Sequence, residues 1–532
     1  MLRRTDRMSR HGSGLVAVAL AVVLIATSGC GDSEVASPAN PPASTPTLAP
    51  TNASTPTPTP TSLPSLQGPT IEGPISGGSG KPFLGSTTFD LAQVGYSEAE
   101  YFMSGTATAF TKVGAFAVDG VWSVASGDSA AYKTRLLVYR PIDAKNFNGT
   151  VVVEWLNESG GVDAAADWIT GHVELTRAGF AWMGVSAQRV GVEGGTSLLG
   201  SPTIPLKTID PARYGSLVHP GDSFSYDIFS QAAQAILRPA GINPLGDLQI
   251  NTVIAAGDSQ SAFRLVTYIN AIHPLADIYD GFLVHSRVGN AVAVAPLSET
   301  PQAAITVPAA THIRADLNVP VLIFETETDL TFLGYARAQQ NDSERIRVWE
   351  VAGAAHADTY TTVVGGTDLG SSPDAAALVV TAAPVAGFTP CPGPINSGPQ
   401  HFVLNAALAA LNQWVREGSP PPSAPRLELA AGAAITLVRD ANGNALGGIR
   451  TPQVDVPIAA LSGEPQAGSV FCLLFGSTTP FDDAMLTALY ADHAAYVTAF
   501  NAATDRAVAA GFILPPDADL MKANAAASSI AK

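Results

Sequence analysis

The stretch 251–262, NTVIAAGDSQSA, constrains this chain more than any other. Val253-Ile254-Ala255-Ala256 is a short apolar run of the kind that forms a buried strand. It breaks at Gly257-Asp258-Ser259-Gln260-Ser261, and a helix-like pattern follows from Phe263 to Ile272. Strand, tight turn around a serine, then helix is the context of a nucleophile elbow, in which the turn lifts the hydroxyl off the strand end. The crowded backbone of that turn needs small residues two positions either side of the serine. Gly257 meets the demand, and Ser261 stands where the commoner pattern has glycine. An ordinary small-residue turn would show the same five residues, and short patterns recur by chance. The rest of the chain has to decide.

A serine hydroxyl is a weak nucleophile unless an imidazole takes its proton and a carboxylate orients that imidazole. In the strand–elbow–helix arrangement the acid and the histidine follow the serine, each on a loop after a later strand. The chain has nine histidines. His11 lies near the N-terminus; His172 and His219 precede the serine; His273 sits on the elbow helix itself. His285 and His312 precede the acid candidates, and His401 and His493 lie in or beside predicted helices. His356 alone directly follows a strong buried strand, in VWEVAGAAH. The acid is expected after Val319-Pro320-Val321-Leu322-Ile323-Phe324, where the loop offers Glu325, Glu327 and Asp329. Three alternating carboxylates cannot all be buried and ionised without cost. The step from Pro320 to Asp329 favours Asp329, with Glu327 as the alternative. An oxyanion needs two backbone N–H donors. Gln260 is expected to supply one, and Leu156 or Asn157, after the strand GTVVVEW, the other. A Trp–Asn pair at a strand end equally suits a structural role, indole packing plus an Asx turn.

The remaining pattern alternates strands with helices. Strands are predicted at 98–110, 132–140, 149–155, 180–187, 280–284, 319–325 and 345–351. Helices are predicted at 167–178, 226–237, 330–340, 402–417 and 484–509. The nearly continuous apolar character of 149–155 suits a strand covered on both faces. Such alternation argues for an α/β fold with a mainly parallel sheet and helices on both faces. Segments 189–222 and 357–400 are rich in Gly, Pro or Ala and read as loop insertions covering the pocket; about 420–532 reads as a C-terminal extension. Trp155, Gln188 and Tyr214 are the candidate pocket-lining residues.

Composition bounds the setting. The net charge of −17 and the lack of any Lys/Arg run exclude a phosphate-neutralising surface, so no nucleic-acid partner is expected. No GxGxxG follows the early strands, and there is no GxxxxGK[ST], HExxH or CxxC. Nucleotide binding, cofactors and metal are therefore unsupported. Residues 1–30 carry Arg3, Arg4, Arg7 and Arg10, an apolar stretch Leu15–Ala26, and small residues up to Cys30. This reads as a signal peptide, and its end resembles a bacterial lipobox with Cys30 as the lipidated residue. Plain secretion is the alternative, since Thr27 occupies a position that favours leucine. Residues 31–80, rich in Pro and Thr, read as a disordered linker, with the globular domain at 81–532. With Cys30 acylated, Cys391 and Cys472 remain, and in an exported protein they are expected to form a disulfide, with two separate buried thiols as the alternative.

Several longer motifs lie outside the elbow. They include VVVEWLNESGG (151–161), DPARYGSL (210–217), HPGDSFSYDIFSQ (219–231), ETETD (325–329), EVAGAAHAD (350–358) and GGIRTPQVDVP (447–457). On these and GDSQSA (257–262) the chain resembles a bacterial family of α/β-hydrolase-domain proteins across most of residues 85–515. The resemblance implies one decorated catalytic domain of α/β-hydrolase fold, and a serine at position 261 in place of glycine. It does not supply a substrate. The reading expected is an exported serine hydrolase of the cell envelope, acting on a small-molecule carboxylic ester through an acyl-enzyme. A peptidase or acyltransferase on the same residues, or a non-catalytic envelope lipoprotein of this fold, are the alternatives.

Overall fold

The computed structural model describes residues 68–78, 80–198, 202–289, 307–384, 390–432 and 434–532. The expected signal peptide, Cys30 and most of the linker lie outside these residues. Nine strands form one sheet: β1 Thr70–Glu72, β2 Tyr96–Val113, β3 Ser123–Pro141, β4 Thr150–Trp155, β5 Ala181–Val185, β6 Thr252–Asp258, β7 Gly281–His285, β8 Val321–Thr326 and β9 Ile346–Val351. Their order is β1-β2-β3-β5-β4-β6-β7-β8-β9. β5, β4, β6, β7, β8 and β9 run parallel, while β1, β2 and β3 are added antiparallel at one edge. This is the α/β-hydrolase fold.

The burial pattern explains the strand sequences. Every residue of β4 to β8 is buried, so these strands show continuous apolar runs rather than alternation. The two faces carry separate cores. Helix Ser225–Leu237 and the elbow helix pack on one face; helices Ala166–Arg177 and Gln400–Glu417 pack on the other. Loops at the C-terminal ends of the parallel strands therefore meet above β6, where such sheets place their ligands.

Four expectations need correction. The domain begins before residue 81: β1 pairs with β2 at Thr70↔Ser104, and Ile71 is buried, so the end of the assigned linker is a sheet edge. The helix expected over 330–340 is only Glu327–Thr331, with a separate turn at Tyr335–Arg337. Gly334, at φ 73°, interrupts it. The segment 484–509 is two helices, Asp483–Leu489 and His493–Ala509, because Asp492 caps the second through Ala495 N–H. Segment 189–222 holds short helices at Arg189–Glu193, Leu206–Ile209 and Pro211–Tyr214 rather than irregular chain.

The C-terminal extension is integral to the body. The guanidinium of Arg177 pairs with Asp517, which also accepts from Asn405 Nδ2 at 3.1 Å. Its hairpin, β10 Ala459–Ser462 with β11 Ser477–Pro480, places Gly463 against the acid loop after β8.

Candidate active site

At the end of β6 the chain turns at Ser259, with φ 56° and ψ −116°, and the elbow helix begins at Gln260. A non-glycine residue at positive φ is strained and persists only where its surroundings hold it. They do so here. Ser259 N–H donates to the His285 carbonyl at 2.9 Å, and Asn157 Nδ2 donates to the Asp258 carbonyl at 3.0 Å. A Cβ at Gly257 would lie 3.0 Å from the Ser261 carbonyl carbon, which is why that position is glycine. Ser261 itself fits, fully buried.

The loop after β9 brings His356 over the elbow. Its Nε2 lies 3.0 Å from Ser259 Oγ, and its Nδ1 lies 2.6 Å from Asp329 Oδ1. Thr328 Oγ1 accepts from His356 N–H at 3.1 Å and donates to the Gly463 carbonyl at 2.6 Å, pinning the histidine loop to the acid loop. Asp329 is fixed by a capping box. Its Oδ2 accepts from Thr326 N–H and Thr326 Oγ1, both at 2.7 Å, which leaves Oδ1 for the imidazole. Burial pulls the His356 pKa down; the Asp329 carboxylate outweighs it and leaves the net shift upward. The arrangement can move a proton off Ser259 Oγ while Asp329 stabilises the imidazolium.

The two other carboxylates of the acid loop do different things. Glu327 Oε1 accepts from Gly353 N–H at 2.6 Å. Its Oε2 accepts from Gly463 N–H at 2.9 Å and from Arg439 at 3.0 Å. Glu327 therefore ties three loops together and does not touch His356. Glu325 is fully buried with neither oxygen paired among the described residues, and burial raises its pKa well above the ordinary range.

The second expected oxyanion donor is corrected by the ladder. Leu156 N–H donates to the Val185 carbonyl, and Asn157 N–H donates to the Ala164 carbonyl at 2.9 Å. Both continue backbone pairing past the end of β4. Asn157 acts instead through its side chain, bracing the elbow. Gln260 N–H, at the first turn of its helix, has no acceptor among the described residues. Of the pocket candidates, Gln188 is at the site: its amide pairs with that of Gln260, Nε2 donating to Gln260 Oε1 at 3.0 Å. Trp155 is a core residue, 4.8 Å from the Phe229 ring on the far face of the sheet. Tyr214 is also core: its hydroxyl donates to Glu100 at 2.9 Å and it packs on Phe102.

Segment 357–400 contributes more than cover. Ala357, Thr361, Thr362 and Gln400 help line a small pocket of about 30 Å³ beside His356. The Cys391–Cys472 disulfide anchors this wall, packing with Ala357 and Phe475. Two buried residues that the sequence did not single out, Asp258 and His285, also line the pocket, with Asp167 behind them. His285 Nδ1 lies 2.8 Å from Asp167 Oδ1 and 3.4 Å from Asp258 Oδ1. The signal was a polar residue flush with the end of a buried strand, since His285 closes β7 in register with Asp258. Among the described residues no group of three or more His, Cys, Asp or Glu side chains is placed to hold a metal ion. No described helix is long and apolar enough to cross a membrane.

The family pattern described as alpha/beta hydrolase domain matches residues 71–523. No curated protein matches the chain. Among solved structures, a fungal esterase of Rhizomucor miehei is 13% identical, with 59% of this chain and 85% of that one covered at a TM-score of 0.29. An α/β serine hydrolase without lid from Xanthomonas campestris is 11% identical, covering 46% of this chain and 83% of that one at 0.25. A carboxylesterase of Lactobacillus plantarum is 11% identical, covering 43% and 78% at 0.24. The extent of the family match decides membership: the chain belongs to the alpha/beta hydrolase domain family.

Proposed function

We propose that this member of the alpha/beta hydrolase domain family is an exported serine esterase, with Ser259 as nucleophile, His356 as general base and acid, and Asp329 as the orienting carboxylate. The observation that carries the reading is the unbroken chain from Ser259 Oγ to His356 to Asp329, at 3.0 and 2.6 Å, on a strained elbow. In this reading Ser259 Oγ attacks the ester carbonyl as its proton passes to His356 Nε2. Gln260 N–H receives the developing oxyanion, a contribution of roughly 3 kcal/mol for one such donor. His356 then protonates the departing alcohol, and water releases the acid from the acyl-enzyme by the same route in reverse.

The test is turnover of a short-chain p-nitrophenyl ester. Ser259→Ala is expected to abolish it while the thermal melt stays cooperative; full activity in that variant sinks the assignment. Export rests on the sequence at residues 1–30, with Cys30 as the acylated residue. Metabolic labelling with a radioactive fatty acid should mark the wild type and not Cys30→Ser, whereas equal labelling of both removes the anchor.

A further inference from the structure

Two non-glycine residues at the C-terminal edge of the sheet hold a positive φ, Ser259 at 56° and Ser286 at 53°. His285 stands between them. Its carbonyl accepts from Ser259 N–H at 2.9 Å, and the chain turns directly after it, where Ser286 N–H donates to the Phe324 carbonyl at 2.7 Å. The peptide that carries the nucleophile therefore hangs on the last carbonyl of β7, beside a second strained turn. Such conformations persist only where their surroundings over-determine them.

The His285 ring supplies that restraint. Its Nδ1 lies 2.8 Å from Asp167 Oδ1 and 3.4 Å from Asp258 Oδ1, and all three residues are buried. A ring nitrogen that faces carboxylate oxygens must carry hydrogen, so Nδ1–H is the donor whether the ring is neutral or charged. On one side it reaches Asp167, in the first turn of helix Ala166–Arg177; on the other it reaches Asp258, the residue before Ser259. The helix start is itself fixed to the sheet. Asp167 N–H and Trp168 N–H each donate to the Glu154 carboxylate on β4 at 3.0 Å, and Trp182 Nε1 on β5 donates to it at 2.8 Å. Phe324 on β8 packs edge-on against the imidazole, with centroids 5.1 Å apart, and Nε2 meets the Gln400 side-chain amide at 3.0 Å.

The charges make this donor more than a tether. Asp167 Oδ2 and Asp258 Oδ2 have no hydrogen-bond partner among the described residues. Without Nδ1–H, two buried carboxylates would face each other with no donor between them, and like charges in such a site repel. Moving Asp258 relieves the repulsion, and Ser259 is the next residue. A displaced Ser259 loses its 3.0 Å approach to His356 Nε2, and small misplacements of reacting groups are costly in rate.

We propose that His285 is a positioning residue for the nucleophile: its Nδ1–H, shared between Asp167 and Asp258, fixes the carbonyl that holds the Ser259 peptide and so sets Ser259 Oγ against His356. The inference rests on the esterase reading above.

The experiment compares His285→Asn with His285→Gln. The two carry the same amide, but that of Asn reaches the place of Nδ1 and that of Gln the place of Nε2. The readouts are kcat and KM for p-nitrophenyl acetate, and the rate and final extent of labelling by a fluorophosphonate. In His285→Gln, kcat and the labelling rate should fall by roughly 10²-fold, with KM little changed and labelling still stoichiometric at its end. His285→Asn should recover most of that loss. A residue that only stabilises the fold would lower the final extent of labelling and leave the rate of the folded fraction alone. Equal rates in the two variants, fast or slow, overturn the inference while the wild type remains an esterase. Should His285→Gln fail to melt cooperatively, Asp167→Asn against Asp167→Leu reads the same bond from its other end: the Asn oxygen still accepts from Nδ1–H and should keep the labelling rate, the Leu side chain should lose it, and equal rates again overturn the inference. Wild type that neither turns over p-nitrophenyl acetate nor takes the label removes the esterase reading and this inference with it.

Discussion

The choice between Asp329 and Glu327 as the carboxylate behind His356 can be decided by two isosteric amides. Asp329 Oδ2 is held by two Thr326 donors, and Oδ1 accepts from His356 Nδ1 at 2.6 Å. In Asp329→Asn the single oxygen stays with Thr326, and the amide NH2 turns to Nδ1. A donor facing Nδ1 drives the imidazole proton to Nε2, which then points a hydrogen, not a lone pair, at Ser259 Oγ. A wrong-tautomer exchange of this kind costs about 10⁴ in kcat, equivalent to roughly 5.5 kcal/mol of barrier. Glu327→Gln does something else. Glu327 accepts from Gly353, Gly463 and Arg439, so an NH2 in place of either oxygen confronts donors with a donor. The loss is one of stability, roughly 2–4 kcal/mol by the cost of unsatisfied buried groups, and kcat/KM of the folded protein should fall less than tenfold. The assay is kcat/KM on p-nitrophenyl acetate beside a thermal melt of each variant. A 10⁴-fold loss in Glu327→Gln with an active Asp329→Asn would refute the reasoning.

The acid limb of kcat/KM should report His356. The base works only when neutral, and its pKa is raised on balance by Asp329 against burial, so activity is lost as pH falls through a midpoint above the ordinary ~6.5. A pH–rate profile with its midpoint near 5 contradicts this. Opening the Cys391–Cys472 disulfide frees a loop with a sequence separation of 81, for which chain entropy gives about 4 kcal/mol. Cys391→Ser with Cys472→Ser should lower the denaturant midpoint accordingly, and an unchanged midpoint refutes it.

The parts of this fold written in local pattern were legible in the sequence. β4 to β8 are buried on both faces, so their apolar runs were unbroken, and the loops that follow them could be located within a residue or two. That is why Ser259, Asp329 and His356 emerged from a sequence of nine histidines and forty-five acidic residues. What escaped is set by contacts distant along the chain. Leu156 and Asn157 were assigned as oxyanion donors because they end a strand, yet the bridge to Ala164 that consumes the Asn157 N–H is visible only in three dimensions. Trp155 follows the same rule: alternation cannot tell the pocket side from the Phe229 side of a doubly covered sheet. Glu327 and Asp329 sit two residues apart, and only Gly463 and Arg439, more than a hundred residues on, show which is a loop tie. His285 was set aside for preceding the acid in chain order, although its register with Asp258 places it at the site.

The central claim is that Ser259 is an activated nucleophile, and a fluorophosphonate probe tests it most directly. The account predicts stoichiometric phosphonylation of the peptide carrying GDSQSA at Ser259, visible by mass spectrometry and absent from His356→Ala. No labelling of the folded wild type, or labelling at another serine, contradicts it.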